Sequence, residues 1–360
     1  MKKFFKENYK VIICACILLG LLAISLACSP KSPQEEPPQN DPNALKPGTG
    51  VVNYALFDTV SYVYTYAGDT KEVFDANCEE VWSMLAEYHQ LFDIYHEYSG
   101  INNLCTLNKN AGGEALEVSP KLIDFLKYAK NLYVLTNGEM NIMMGAVLSL
   151  WHDAREDGKR IPTEEALTEA SKHVSFDCLE IDEVNNTVRI TDKDARIDVG
   201  ALGKGYATEL AAKHLESKGV KSYVLNIGGN IRIVGTKTDG SGWGTGIKDP
   251  RNPSTFITKI TIADISCVTS GDYERYITVG GKKYHHIIDK DTLMPAEYFS
   301  SITILTKDSG LADALSTALF CMSYEEGLAL IQSIGGIDVL WVYPDGTTVM
   351  TDGFEARLMK

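Results

Sequence analysis

The densest glycine signal in the chain is Arg196-Ile-Asp-Val-Gly-Ala-Leu-Gly-Lys-Gly-Tyr206, which reads as a strand that breaks into glycines and then enters a helix with Leu210, Ala211, His214 and Leu215 on one side. Such a turn exposes backbone N–H groups at the positive end of a helix, where phosphate binds, and Lys204 adds a point charge. The glycines at 200, 203 and 205 miss G-x-G-x-x-G, and Gly205 stands where a Walker motif needs Ser or Thr. A phosphate site and a bare strand-to-helix junction are both open on spacing alone. The next strand, Tyr223 to Ile227, runs into Gly228-Gly229-Asn230. Glycine there serves either a ligand that approaches the backbone closely or the end of a hairpin.

Ser309-Gly-Leu-Ala-Asp313-Ala-Leu-Ser-Thr317 reads as a capped helix with Asp313 and Thr317 one turn apart on one face. A carboxylate and a hydroxyl are hard oxygen ligands, suited to Mg²⁺ or Ca²⁺ and not to zinc. A threonine that bonds back to its own helix explains the spacing as well. Tyr284-His-His-Ile-Ile-Asp289 lies in a strand pattern, so His285 and His286 point to opposite faces and one of them can enter a site as a base. A purely structural histidine is the competing reading. There is no H-E-x-x-H and no serine-elbow motif, which weakens protease and esterase readings.

The elements that must hold these residues are legible in part. Val81, Leu85, Tyr88 and Phe92 form one apolar helical face. A second helix is capped by Ser119, starts at Pro120, repeats Leu122, Leu126, Ala129 and Tyr133, and stops at Asn137-Gly138. Strand pairs flank the turns at Asn185-Asn186, Gly280-Gly281 (Ile277 to Val279 with Lys282 to Ile288) and Asp345-Gly346. Helices, strands and hairpins mix without βαβ alternation, which predicts an α+β fold with mixed and antiparallel sheets and packed helices.

The chain has 360 residues, 44% of them hydrophobic and 23% charged, the profile of a globular protein and not of a disordered or multi-spanning one. Its formal charge of −14 gives a general affinity for nucleic acid no support. An anionic ligand must therefore be caught by a local device. Eight cysteines without a C-x-x-C pair exclude a disulfide scaffold and a zinc knuckle.

Lys2, Lys3, Lys6 and Lys10 precede an apolar stretch from Val11 to Ala27, the layout of a secretory signal, followed by Cys28. Residues 29–50 hold six of the twelve prolines and almost nothing apolar, a flexible tether. Removal of residues 1–27 takes out four lysines and Glu7, so the exported chain carries −17. The expected division is a signal at 1–27, a modified Cys28 with tether at 28–50, and one domain at 51–360.

From Tyr54 to the end, six blocks in order resemble the ApbE family, the FAD:protein FMN transferases. They are Ile197 to Ala207, Asn226-Ile-Gly-Gly-Asn230, Trp243 with Gly246-Ile-Lys-Asp-Pro250, Thr269-Ser-Gly-Asp-Tyr273, Tyr284-His-His-Ile-Ile-Asp289 and Asp313 to Thr317. Looser likeness covers Leu91 to Asn108 and Asn141 to Trp151, and Ser25-Leu-Ala-Cys28 is similar to the lipobox of bacterial lipoproteins. The resemblance implies an exported, lipid-anchored, Mg²⁺-dependent enzyme that binds FAD in a site between two lobes. It transfers the FMN half to a Thr or Ser hydroxyl of an exported acceptor flavoprotein of a membrane electron-transfer system and releases AMP.

By the same resemblance, Asp313, Thr317 and the carbonyl of Ala201 hold Mg²⁺, while Lys204, Asp198, Asn226, Gly229, Thr269 and Ser270 line the FAD pocket. His286 is the base. The family's Asp-Pro-x-Thr-Gly-x-Pro appears here as Asp289-Lys-Asp-Thr-Leu-Met-Pro295, so Lys290 and Leu293 depart from it. Two other readings keep the pocket: an FAD pyrophosphatase that uses water as nucleophile, and a flavin-binding lipoprotein without chemistry.

Overall fold

The computed structural model describes residues 43–359. The expected signal at 1–27, Cys28 and the tether as far as residue 42 lie outside the described residues. Within the segment expected as tether, Ala44 bridges Thr70 and the first described strand opens at Thr49.

Fifteen strands are described: β1 Thr49–Asn53, β2 Ser61–Thr65, β3 Leu116–Glu117, β4 Leu179–Asp182, β5 Thr187–Ile190, β6 Tyr223–Ile227, β7 Asn230–Val234, β8 Trp243–Asp249, β9 Asn252–Ile262, β10 Ser266–Gly271, β11 Tyr276–Val279, β12 Lys282–His285, β13 Ser301–Thr306, β14 Asp338–Val342 and β15 Thr348–Met350. Eight of them form one sheet in the order β1-β2-β6-β7-β10-β13-β14-β15, and every neighbouring pair in it is antiparallel. The α+β expectation is met, with all laddered pairs antiparallel.

The helices are α1 Lys71–Phe92, α2 Leu104–Lys109, α3 Pro120–Leu135, α4 Gly145–Asp157, α5 Glu164–Ala170, α6 Gly203–Ser217, α7 Ser309–Ala318, α8 Tyr324–Ile334 and α9 Asp352–Glu355. α1 and α6 cover one face of the sheet, where Val81, Leu85, Ala207, Ala211 and Leu215 pack on Val63, Tyr223, Leu225 and Ile227. The β8–β9 hairpin covers the other face with Trp243, Ile247, Ile260 and Ile262 against Ile233, Cys267 and Leu340. β13 is accordingly buried at all six positions. Burial of this kind is the main stabilising term.

Both helices expected from periodicity form. Thr70 caps α1, and Ser119 caps α3 by accepting from the Lys121 N–H at 3.3 Å, with Asn137 and Gly138 left-handed just past its end. A smaller core of Met144, Val147, Trp151, Leu167 and Ile288 joins α4 and α5 to the segment after β12. That satellite core sets the position of the residues described next.

Three local expectations change. Arg196 to Val199 is not a strand but an isolated segment with one bridge from Arg196 to Met144. Its backbone is satisfied by a side chain instead: the Asn108 amide donates to the Ile197 carbonyl at 2.9 Å and accepts from its N–H at 2.7 Å. α7 is capped by Asp308, which accepts from the Leu311 N–H, and Ser309 is its first residue. β12 stops at His285, where the Ile287 N–H turns in to the His285 ring and Ile288 bridges Pro295.

Candidate active site

The start of α6 packs directly on α7. The Gly205 N–H donates to Asp313 Oδ2 at 2.8 Å, and a Cβ at 205 would overlap both Asp313 Cβ and the Ser309 carbonyl. Glycine is required there by close helix approach. The anion at this helix end is thus Asp313 itself, held where the dipole favours negative charge. The neighbouring amides are engaged too, Gly200 with Asp198 Oδ1 at 2.8 Å and Gly203 with the Val199 carbonyl. The tight-junction reading therefore accounts for the loop's amides, and its positive charge comes from Lys204. Lys204 Nζ donates to the Gly200 carbonyl at 3.0 Å and lies 4.0 Å from Asp313 Oδ2.

Asp313 is almost fully buried. Among the described residues no donor reaches its Oδ1, the Thr317 hydroxyl or the Ala201 carbonyl. A carboxylate oxygen, a hydroxyl and a carbonyl are hard ligands whose chemistry fits Mg²⁺ with its usual water or phosphate ligands; Asp313 and Thr317 are one turn apart on α7, and Gly205, which bonds Asp313, is one turn after Ala201. A second acidic group of His173, Asp192 and Asp194 sits at the surface, where His173 and Asp192 already pair at 2.7 Å.

A buried network holds α6 and α7 in this relation. Arg232 on β7 is fully buried and contacts Glu209 at 3.2 Å and Glu216 at 2.6 Å, both on α6. Glu209 also accepts from the Ser309 N–H at 2.9 Å, the first amide of α7. β10 is tied in through Ser270, whose hydroxyl meets that of Ser316 at 2.8 Å, while Ser316 donates to the Asp313 carbonyl at 2.8 Å. Thr269 pairs with Thr303 at 2.8 Å. Both hydroxyls expected at the FAD pocket are thus bonded within the protein.

Gly228 and Gly229 are left-handed (φ +59° and +96°) and close the β6–β7 hairpin, so the turn reading accounts for them. Asn226 caps the turn by accepting from the Gly229 N–H at 3.0 Å, and space outside Gly229 is open. Among the described residues, no hydrogen bond links this turn to Asp313 or Lys204.

The two histidines face different surroundings. His285 is satisfied at both ring nitrogens, by the Ala296 carbonyl at 2.8 Å and the Ile287 N–H at 3.2 Å, and borders a separate cavity of about 190 Å³. His286 Nδ1 is buried with no partner. Burial first, and then the charges of Arg275, Arg155, His285 and Lys204, push the His286 imidazole from 6.5 down to about 3. It is neutral near pH 7, with a free ring nitrogen.

Sequence reasoning missed four residues here. Arg155 and Arg275 act on His286, and Tyr95, 54% exposed, is influenced by Asp198, Arg155 and Arg275 and packs on His152 with ring centroids 5.4 Å apart. Asn108 positions Ile197, next to Asp198. The hairpin register contained a signal for Arg275, since the Gly280-Gly281 turn brings the ends of both strands, Tyr276 and His285, together and Arg275 and His286 directly follow them. Arg155 carried no such mark.

Residues 52–341 match the ApbE family. The chain is 30% identical over 321 residues to an FAD:protein FMN transferase of Treponema pallidum, covering 84% of this chain and 87% of that one. It is 30% identical over 259 residues to that of Vibrio cholerae, covering 71% and 75%. Among solved structures, the ApbE protein of Thermotoga maritima superposes with a TM-score of 0.77 at 27% identity, over 87% of this chain and 100% of that one. The V. cholerae flavin transferase ApbE gives 0.72 at 27% identity, over 87% and 100%. With an antiparallel sheet of this order, a buried aspartate at the α6–α7 junction and this extent of similarity, the chain belongs to the ApbE family.

Proposed function

We propose that the protein is an FAD:protein FMN transferase that attaches the FMN half of FAD to a Thr or Ser hydroxyl of an acceptor protein and releases AMP. The observation that supports this reading is Lys204, which lies 4.0 Å from the buried Asp313 carboxylate and whose charge also acts on the neutral His286 ring. Storage of a flavin needs neither a base nor a metal site.

Asp313, Thr317 and the Ala201 carbonyl are the residues to hold Mg²⁺, which when bound offsets charge on phosphate oxygens. Lys204 offsets more of that charge. The acceptor oxygen bonds to the FMN phosphorus as the phosphorus–oxygen bond to AMP breaks. The His286 imidazole takes the hydroxyl proton, a role that contributes on the order of 10²–10⁴ in rate. Asp198, Asn226, Gly229, Thr269 and Ser270 are proposed to border FAD.

The deciding experiment mixes the purified protein with FAD, Mg²⁺ and an exported acceptor flavoprotein, and follows covalent flavin fluorescence and AMP together. Both products support the transferase, AMP alone makes the protein a pyrophosphatase, and neither makes it a binder. We further propose export and anchoring through lipidated Cys28, with acceptors drawn from membrane electron-transfer flavoproteins. Cys28→Ala should move the protein from the membrane to the soluble fraction, and unchanged fractionation would remove the anchor.

A further inference from the structure

The β11–β12 hairpin and α4 build a cationic mouth around His286. Tyr276 pairs with His285 at the end of the ladder, so Arg275 and His286 are the first residues beyond it on either strand, and the Arg275 charge acts on the His286 ring. α4 packs against β11, with Trp151 stacked on Tyr284 at 6.0 Å and its Nε1 donating to the Leu293 carbonyl at 2.9 Å. Arg155 follows Trp151 by four residues, one turn along the same helix face. Lys204 approaches from the α6 turn.

Four other arginines, Arg189, Arg232, Arg251 and Arg357, each lie within 4.0 Å of a carboxylate, and Arg196 bonds to the Lys193 and Ala195 carbonyls. Among the described residues, neither Arg155 nor Arg275 makes an ion pair or a hydrogen bond, although the chain is strongly acidic. Burial and Arg275 both lower the Arg155 guanidinium's affinity for its proton. Arg155 is partly buried and Arg275 is exposed, and Asp198 is a carboxylate whose charge already acts on Arg155; both guanidinium groups remain free to take a further anion.

We propose that Arg155 and Arg275 form an anion receptor beside His286 that takes a phosphate-class group of the substrate. This rests on the transferase reading above and deepens it. A guanidinium fork matches phosphate oxygens two at a time, and two forks with Lys204 offset the two charges of a diphosphate or of the departing monophosphate. Occupancy has a second effect. An anion between the arginines offsets their field on His286, so the imidazole gains basicity when substrate is present; the other groups acting on it are His285 and Lys204.

The test uses full-length protein without added metal and measures binding of FAD, AMP and, as a phosphate-free comparator, riboflavin. Arg155→Gln/Arg275→Gln should weaken FAD and AMP at least tenfold, leave riboflavin unchanged and flatten the salt dependence, while the double Lys variant recovers part of the loss. An NMR titration adds a readout that a structural role would not move: AMP should raise the His286 midpoint in the parent and leave it in place in the double Gln variant. Unchanged AMP affinity, or equal losses for FAD and riboflavin, overturns the proposal. Normal FAD binding with slow acceptor labelling would assign the pair to the acceptor and overturn it too. The readout is binding, so it stands or fails whether or not an acceptor is ever labelled.

Discussion

The two halves of the candidate site are built on opposite terms. At the α6–α7 junction polar groups answer one another: Asp313 with Gly205, Glu209 with Ser309 and Arg232, Ser316 with Ser270. At the hairpin exit they do not: among the described residues Arg155 and Arg275 make no ion pair, and the buried His286 Nδ1 has no partner. A buried polar group costs free energy unless paired, so the first arrangement is scaffold, whereas the second leaves His286 unpaired beside two unpaired cations. One oxygen of Asp313 belongs to each category. Its Oδ2 fixes α6, and among the described residues its Oδ1 accepts no hydrogen bond.

The largest effect should come from separating those two oxygens. Asp313→Asn keeps an acceptor for the Gly205 N–H but removes the charge that a divalent cation needs. We expect FMN transfer to fall by more than about 10³-fold, with Mg²⁺ dependence lost and the melting temperature little changed, on the scale of several kcal/mol of charge stabilisation. Transfer at the parental rate with normal Mg²⁺ response would exclude the metal site.

His286→Ala tests the unsatisfied half. FAD binding should persist while labelling slows by about 10²–10⁴-fold; full labelling would remove the base. The pH dependence has a definite sign. With its pKa lowered from 6.5 to about 3, His286 in the free protein is neutral at pH 5 and above, so no acid limb from it should appear in kcat/KM there. The unfolded chain binds a proton below pH 6.5 that the folded one refuses, so stability is full above 6.5 and falls as pH drops toward 3. His286→Gln should lose less over that window, as followed by thermal melts.

The same contrast explains what was readable in the sequence. α1, α3, the β6–β7 turn and the Asp313–Thr317 spacing follow from periodicity, caps and glycine pairs, all of which act within a few residues. Gly205 was visible as glycine, but its cause, the approach of Asp313 from 108 positions away, is tertiary. Asn108 replaces a strand partner for Ile197 at a separation of 89 residues, so an apolar run that reads as strand is not one. Arg155 looks like any charge on a helix until Trp151 docks α4 on Tyr284. Local chemistry reveals which residues can act, and packing decides which of them meet.

Breaking the satisfied half should cost stability before chemistry. Arg232→Met removes the partner of buried Glu209 and of the more exposed Glu216 and Asp264, and loss of one member of a buried pair such as Arg232–Glu209 costs about 3–5 kcal/mol. Denaturant unfolding should show that loss. A change below about 1 kcal/mol would mean that Lys213, 3.3 Å from Glu209, supplies most of the compensation.

The smallest effect lies at the hinge between the halves. Leu293 stands where the family pattern has glycine, and its backbone keeps the glycine-like conformation, φ +58°, while its carbonyl receives the Trp151 Nε1 bond. A side chain in the left-handed region costs about 1–2 kcal/mol, part of which the leucine recovers by packing in the satellite core. Leu293→Ala removes the packing and keeps the strain, whereas Leu293→Gly removes both. In an ordinary loop alanine is the more stable of the two because glycine loses more entropy on folding. Here the order should reverse, with the glycine variant more stable by about 1 kcal/mol in denaturant melts. The usual order would show that Trp151 and the hairpin hold this loop without strain at Leu293.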